Sequence, residues 1–245
     1  MLSDEGIANL LSFTNPWEVV ALLAAFVVPR LLVAPVSPSR RWRAYVLELI
    51  DSGILAVLLI FCIVRPFLIQ AFLIPSGSMH PTLYEGDRIM VNKLVYLTRP
   101  PRHGEIAVFH APPWADPQRR DFIKRVIGLP GDRIAVRDRT TYRNGQPLNE
   151  PYIAEAPLYE MPESDYVLLE PEGEPLRLVE DGELKIPPGY ILVLGDNRNE
   201  SNDAHTWRAE GSDGFQYPCP FVPVENVIGK AMFLFWPPHR LGAVH

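Results

Sequence analysis

Ser78 lies in the run Ile74-Pro75-Ser76-Gly77-Ser78-Met79-His80-Pro81-Thr82-Leu83. Two prolines and a glycine there restrict the backbone that carries the hydroxyl. A hydroxyl so held can act as a nucleophile if a neighbouring base removes its proton. The chemistry would be acyl transfer: attack on a carbonyl, a covalent acyl intermediate, then its hydrolysis. Two kinds of residue can supply the base. The histidines are His80, His103, His110, His205, His239 and His245, and a Ser-His-Asp arrangement is recognised by geometry rather than chain order. The Gly-x-Ser-x-Gly elbow is absent around Ser78. His80 would share a face with Ser78 in extended backbone, yet it fits better as a surface residue filling the gap before Pro81.

Lys124 is the other kind of base. It sits in Phe122-Ile123-Lys124-Arg125-Val126-Ile127, which closes in Leu129-Pro130-Gly131-Asp132. On a strand, Phe122, Lys124 and Val126 project from one face, and apolar neighbours disfavour an ammonium. A lysine base poised near neutral pH needs its pKa lowered by ~3 units, equivalent to about 4 kcal/mol. An isolated strand lysine is more often a snorkelling surface residue. These residues alone therefore leave the base open.

Short alternating segments must position these groups. Asp87–Tyr96, Glu105–His110, Phe122–Ile127, Arg133–Arg137, Tyr190–Leu194 and Val227–Trp236 read as strands. Asn144-Gly145, between Thr141-Tyr142-Arg143 and Gln146-Pro147-Leu148, signals a two-residue hairpin turn. No sustained helical period occurs in this half, so the expected fold is mainly β, with a partly open, barrel-like sheet. Residues 150–183 carry eleven acidic residues against Arg177 alone and read as a solvated acidic excursion between strands.

The N-terminal part is different. Of the 245 residues 47% are hydrophobic while 21% are charged, a balance that suits a membrane anchor joined to one globular domain. Segments 17–35 and 45–64 approach the ~20 residues of a spanning helix, although Glu18, Pro29, Arg30, Glu48 and Asp51 interrupt them. Arg40, Arg41 and Arg43 in the link between them place that link in the cytoplasm. Residues 1–65 are thus expected to form a two-span anchor, and residues 66–245 an exported domain. Residues 1–16 carry Asp4 and Glu5 but no Lys or Arg, unlike a cleaved signal peptide. No basic stripe with interleaved aromatics suggests nucleic acid. Cys62 and Cys219 lie in unlike settings and offer no metal-type spacing.

Four segments, taken in order, resemble bacterial type I signal peptidase, a membrane-bound serine protease with a Ser–Lys dyad. They are Pro75–Leu83 continuing to Gly86-Asp87, Gly104-Glu105-Ile106-Ala107-Val108-Phe109, Lys124-Arg125 through Gly128–Asp132, and Gly195-Asp196-Asn197-Arg198 with Ser201 and Asp203. The resemblance implies that Ser78 is the nucleophile and Lys124 the general base. It implies an oxyanion hole from the Ser78 N–H and the Ser76 hydroxyl. Ser201 would orient the lysine, and Asp196 with Arg125 would brace the site. The family usually has Asp-Ser-Arg where this chain has Asp203-Ala204-His205, so an Asp–Arg salt bridge is either missing or replaced, and whether His205 takes the place of the arginine is left open.

The implied activity is endoproteolytic removal of signal peptides from exported preproteins after small residues, in Ala-x-Ala-like sequences. Ile74, Met79, Leu83 and Ile123 flank the dyad and are the expected subsite walls. An extended substrate would add as a strand beside residues 72–76, and 66–74 would touch membrane lipid. The expected location is the bacterial inner membrane, multi-pass, with the catalytic domain outside the cytoplasm. No metal or organic cofactor is implied, and oligomeric state is left open. Two rival readings are a self-cleaving Ser–Lys regulator, which would lack the spans, and an anchored β-domain that only binds peptides.

Overall fold

The computed structural model describes residues 24–25, 27–31, 40–59, 68–162, 167–168, 176–210 and 214–245. The chain divides into two compact units, Met1–Ala71 and Phe72–His245. In the first, residues 27–31 are helical and α1 spans Arg40–Leu59. An Arg30 guanidinium N–H donates to Asp51 Oδ2 at 3.2 Å, so two of the charges that interrupt the apolar segments satisfy each other. Among the described residues no helix is long and apolar enough to cross a membrane. Much of the expected first span, and residues 60–64 of the second with Cys62, lie outside the described residues.

The second unit is mainly β. Its strands are β1 (Ile69–Leu73, beginning in the first unit), β2 (Arg88–Asn92), β3 (Ile106–His110), β4 (Asp121–Gly128), β5 (Arg133–Arg137), β6 (Thr140–Arg143) and β7 (Gln146–Pro147). There follow β8 (Val167–Leu168), β9 (Leu176–Arg177), β10 (Val179–Glu180), β11 (Glu183–Lys185) and β12 (Tyr190–Leu194). The last are β13 (Arg208–Glu210), β14 (Gln216–Pro218), β15 (Phe221–Pro223), β16 (Val227–Trp236) and β17 (Gly242–Ala243). The main sheet runs β1-β2-β16-β3-β4-β12-β15, with β17 on β16, and a second sheet runs β10-β11-β5-β6-β7. Asn144 and Gly145 both have positive φ, 52° and 73°, as a two-residue turn between twisted strands requires.

One strand expectation overreaches. The segment Asp87–Tyr96 is extended only over β2, and Leu94–Thr98 forms the short helix α2. Asn92 Oδ1 accepts the Val95 N–H at 3.2 Å. That side-chain bond starts a turn where the β-branched pattern alone would continue a strand.

Strand β4 lies between β3 and β12, with Lys124 opposite Ala107 and Arg125 opposite both Ile106 and Leu194. Both neighbours are β-rich and apolar, so β4 is buried from Ile123 onward. Ile74, Met79 and Leu83 pack with Ile89, Val91, Ile106, Val108, Ile123, Ala231 and Leu234 in one hydrophobic cluster. Full burial of such a side chain is worth about 1.5–3 kcal/mol, so these three residues fasten the Ser78 turn onto the sheet. The stretch expected as a solvated excursion is anchored over its first part. Met161 pairs with Val136 of β5 and is buried, and Glu150 is enclosed beside Arg198. Residues 163–166 and 169–175 lie outside the described residues.

Candidate active site

Gly77–Met79 form a single 3-10 turn directly after β1, and the turn places Ser78 over β4. Lys124 Nζ lies 2.8 Å from Ser78 Oγ, and both residues are buried. Lys124 Nζ also donates to the Ile123 carbonyl at 3.1 Å and sits 5.4 Å from the centre of the Phe122 ring. Burial pulls its pKa down to about 8, against the opposing pull of Asp203 and Asp196. A neutral amine has one lone pair, and the Ser78 O–H is the neighbour able to donate to it.

A second loop, after β12, ties this pair in place. The Asn197 backbone N–H donates to the Ser78 carbonyl at 3.2 Å, and Asn197 Nδ2 donates to the Gly77 carbonyl at 3.1 Å. A Cβ on Gly195 would lie 2.4 Å from the Ser78 carbonyl oxygen and 2.3 Å from Ser201 Oγ. Only glycine lets the loop approach so closely. Ser201 Oγ is buried without a hydrogen-bond partner among the described residues, and it crowds the same glycine as the Ser78 carbonyl.

Two aspartates lie near the lysine. Asp196 receives Arg125 in a bidentate pair, Nε to Oδ1 at 2.7 Å and an NH2 nitrogen to Oδ2 at 2.6 Å. The pair is enclosed, with 2% and 0% of the two side chains exposed. Thr82 also donates to Asp196, and the Arg125 guanidinium lies 3.8 Å above the Tyr152 ring. Asp203 takes the Gly195 N–H on Oδ2 at 2.7 Å. Its Oδ1 lies 2.8 Å from His205 Nδ1 and 3.2 Å from the His205 backbone nitrogen.

Ser78 and Lys124 open into a cleft of about 440 Å³, also lined by Pro75, Ser76, Gly77, Phe122, Ile123 and Asn202, with Arg120, Asp121 and Glu200 along its edge. Of the four expected subsite walls only Ile123 lines it. Ile74, Met79 and Leu83 are 2%, 0% and 0% exposed and belong to the core beneath the Ser78 turn. These three are core residues rather than subsite walls: the apolar side of the turn faces the hydrophobic cluster, where they hold the turn. Their neighbours Pro75, Ser76 and Gly77 line the cleft in their place. His80 lies outside the cleft lining, and its Nε2 is 2.7 Å from Glu85 Oε2. Among the described residues no cluster of His, Cys, Asp and Glu is arranged to hold a metal ion.

The residues that sequence reasoning left out are Gly195, Tyr159 and the Glu150–Arg198 pair. Arg198 donates to both Glu150 oxygens, at 2.8 and 2.6 Å, and to Thr141 Oγ1. The glycine stood in a recognised motif, but only the approach of Ser201 explains it. Nothing in the sequence marks Tyr159.

The family model for signal peptidase, peptidase S26, matches residues 46–236. A probable signal peptidase I-1 of Synechocystis is 38% identical over 77% of this chain and 82% of its own length. A signal peptidase I of Leptolyngbya laminosa is 40% identical over 73% of this chain and 74% of its own. A crystal structure of a signal peptidase I from Enterococcus faecalis is 31% identical, covering 53% of this chain and 95% of that one, with a TM-score of 0.34.

Proposed function

This chain belongs to the signal peptidase family, which removes signal peptides from preproteins, and we propose that Ser78 and Lys124 are the groups that do so. The observation that carries the assignment is the 2.8 Å approach of Lys124 Nζ to Ser78 Oγ inside the sheet. Neutral Lys124 takes the Ser78 proton as Oγ attacks the scissile carbonyl. The negative charge that develops on the carbonyl oxygen is met by the Ser78 N–H and the Ser76 hydroxyl. The Ser78 N–H lies in the first turn of a 3-10 segment, where backbone donors lack an intrahelical acceptor. The ammonium of Lys124 then protonates the leaving amine, and the acyl group stays on Ser78. A water deprotonated by Lys124 attacks the ester and frees the enzyme.

A pKa of about 8 leaves roughly a tenth of Lys124 neutral at pH 7, so the rate rises with pH through this value. Ser201 is assigned to orient the amine, and the Arg125–Asp196 pair to hold β4 against the loop after β12. The cleft beside Ser78 accepts small residues ahead of the cut. Ile123 and Phe122 line it, and the edge of β1 offers backbone to an extended substrate. Segments 17–35 and 45–64 are proposed to anchor the enzyme in the bacterial inner membrane with the active site outside the cytoplasm, where exported preproteins emerge. Processing of a preprotein in detergent by the wild type, Ser78→Ala and Lys124→Ala tests the dyad. Each variant is expected to lose at least about 10³-fold in rate. Wild-type cleavage by either would remove that residue from the chemistry.

A further inference from the structure

We propose that His205, stacked on Tyr159, is a positioning residue of the active site that acts on Lys124 through Asp203. The inference rests on the assignment of Lys124 as the base. Asp203 is fully buried, and a carboxylate there must find donors on both oxygens. Oδ2 takes the Gly195 N–H at 2.7 Å, at the glycine that touches the Ser78 carbonyl and Ser201. Oδ1 takes His205, with Nδ1 at 2.8 Å. Because the carboxylate only accepts, Nδ1 carries the proton in this arrangement. The carboxylate is therefore fixed from one side by the loop that holds the nucleophile and from the other by an imidazole.

The imidazole is itself held. Its ring lies flat on that of Tyr159, with centroids 3.9 Å apart and planes 8° from parallel. Tyr159 belongs to the first part of the acidic stretch, which is fastened along the loop after β12. The Ala154 N–H donates to the Asp196 carbonyl, the Leu158 N–H to Asn199 Oδ1, and Asn199 Nδ2 to the Ala156 carbonyl. The buried Arg198–Glu150 pair closes the same seam. So the stretch that carried no motif supplies the surface against which His205 is pressed. The charged groups facing this corner are few. Asp196 is engaged by Arg125, Arg198 by Glu150, and Arg208 donates to the carbonyls of His205 and Trp207. Of the two buried aspartates whose charge bears on Lys124, Asp203 is thus the one paired with an imidazole rather than a guanidinium.

That position has a consequence for the base. A carboxylate bonded to a neutral imidazole keeps its negative charge and favours the ammonium form of Lys124. A permanent cation at position 205 would cancel that charge and make the amine easier to deprotonate. The stacked ring also fixes Asp203, and with it Gly195 and Ser201, so loosening the stack disturbs turnover without removing any group that touches substrate.

The experiment is the pH dependence of kcat and KM on a preprotein for the full-length enzyme carrying His205→Arg, His205→Asn or Tyr159→Ala, with Lys124→Ala as control and melting temperatures alongside. His205→Arg should move the acid limb of kcat down by about 0.5–1 unit, and His205→Lys supplies the second cation if Arg unfolds the domain. Tyr159→Ala and His205→Asn should lower kcat roughly three- to tenfold while KM stays within about twofold. An acid limb unmoved by either cation, or full kcat in Tyr159→Ala, overturns the proposal. If Lys124→Ala were active, the assignment of the base would fail instead. If Lys124→Ala is dead and the limb does not move, the role of His205 alone falls.

Discussion

Asp196 and Asp203 both lie fully buried beside Lys124, yet their partners differ in kind. Asp196 meets a guanidinium in two parallel bonds, with a hydroxyl from Thr82 in addition. Asp203 meets two backbone N–H groups, those of Gly195 and His205, and one imidazole. The first corner balances its charge permanently, because arginine does not deprotonate in proteins. The second keeps a net negative charge near the Lys124 amine whenever the imidazole is neutral. One corner therefore serves to hold β4 against the loop after β12, and the other bears on how easily the lysine loses its proton.

The comparison breaks first at Asp196. Asp196→Ala leaves Arg125 buried without its counter-charge, which costs about 3–5 kcal/mol. Thermal unfolding should show a fall on the order of 10 °C; a fall of only a degree or two would mean the pair is dispensable. Next comes the lysine itself. Its folded pKa, about 8, lies below its ordinary value of 10.5. Between these values the unfolded chain binds the extra proton, so stability rises with pH across that window and is reduced below it. Lys124→Met removes this rise and should stabilise the domain at pH 7 by on the order of 3 kcal/mol, read by denaturant unfolding at pH 7 and pH 10. Equal pH slopes in the two proteins would contradict the buried, depressed amine.

Asp203→Asn is the gentler break. It keeps an acceptor for Gly195 but removes the charge, so the acid limb of turnover should move down by up to about one unit. An upward movement would contradict the sign. The smallest effect sharpens the contrast from outside the site. Arg133 pairs with Glu180 at 2.8 Å with both side chains more than a third exposed, so Arg133→Ala should change stability by no more than about 0.5 kcal/mol.

Much of the strand pattern was legible because alternation and turn chemistry agree locally. Arg133–Arg137, Tyr190–Leu194 and Val227–Trp236 are strands with the bounds that alternation suggests, and Asn144-Gly145 fixes its own hairpin. The end of β2 was not legible, because one Asn92 side chain competes with the ladder for the chain beyond it. At the site, the residues alone suggested Ser78 but left the base open, and only the resemblance carried by four ordered motifs implied Lys124. Their distance required the register of β3, β4 and β12. The faces of Ile74, Met79 and Leu83 were misread because closeness in sequence to a nucleophile does not say which side of a turn is core. Tyr159 was beyond reach, since its meaning comes from a histidine 46 positions later that only the fold brings to it.

The central claim is that burial lowers the Lys124 amine to a pKa of about 8, so that it loses its proton far below the ordinary lysine value. The chain has four lysines, Lys93, Lys124, Lys185 and Lys230, so titration of the Nζ resonances by NMR with lysine labelled in nitrogen-15 resolves them individually. One resonance should titrate near pH 8 and vanish in Lys124→Met. Four resonances that all titrate near 10.5, the ordinary lysine value, would contradict the account.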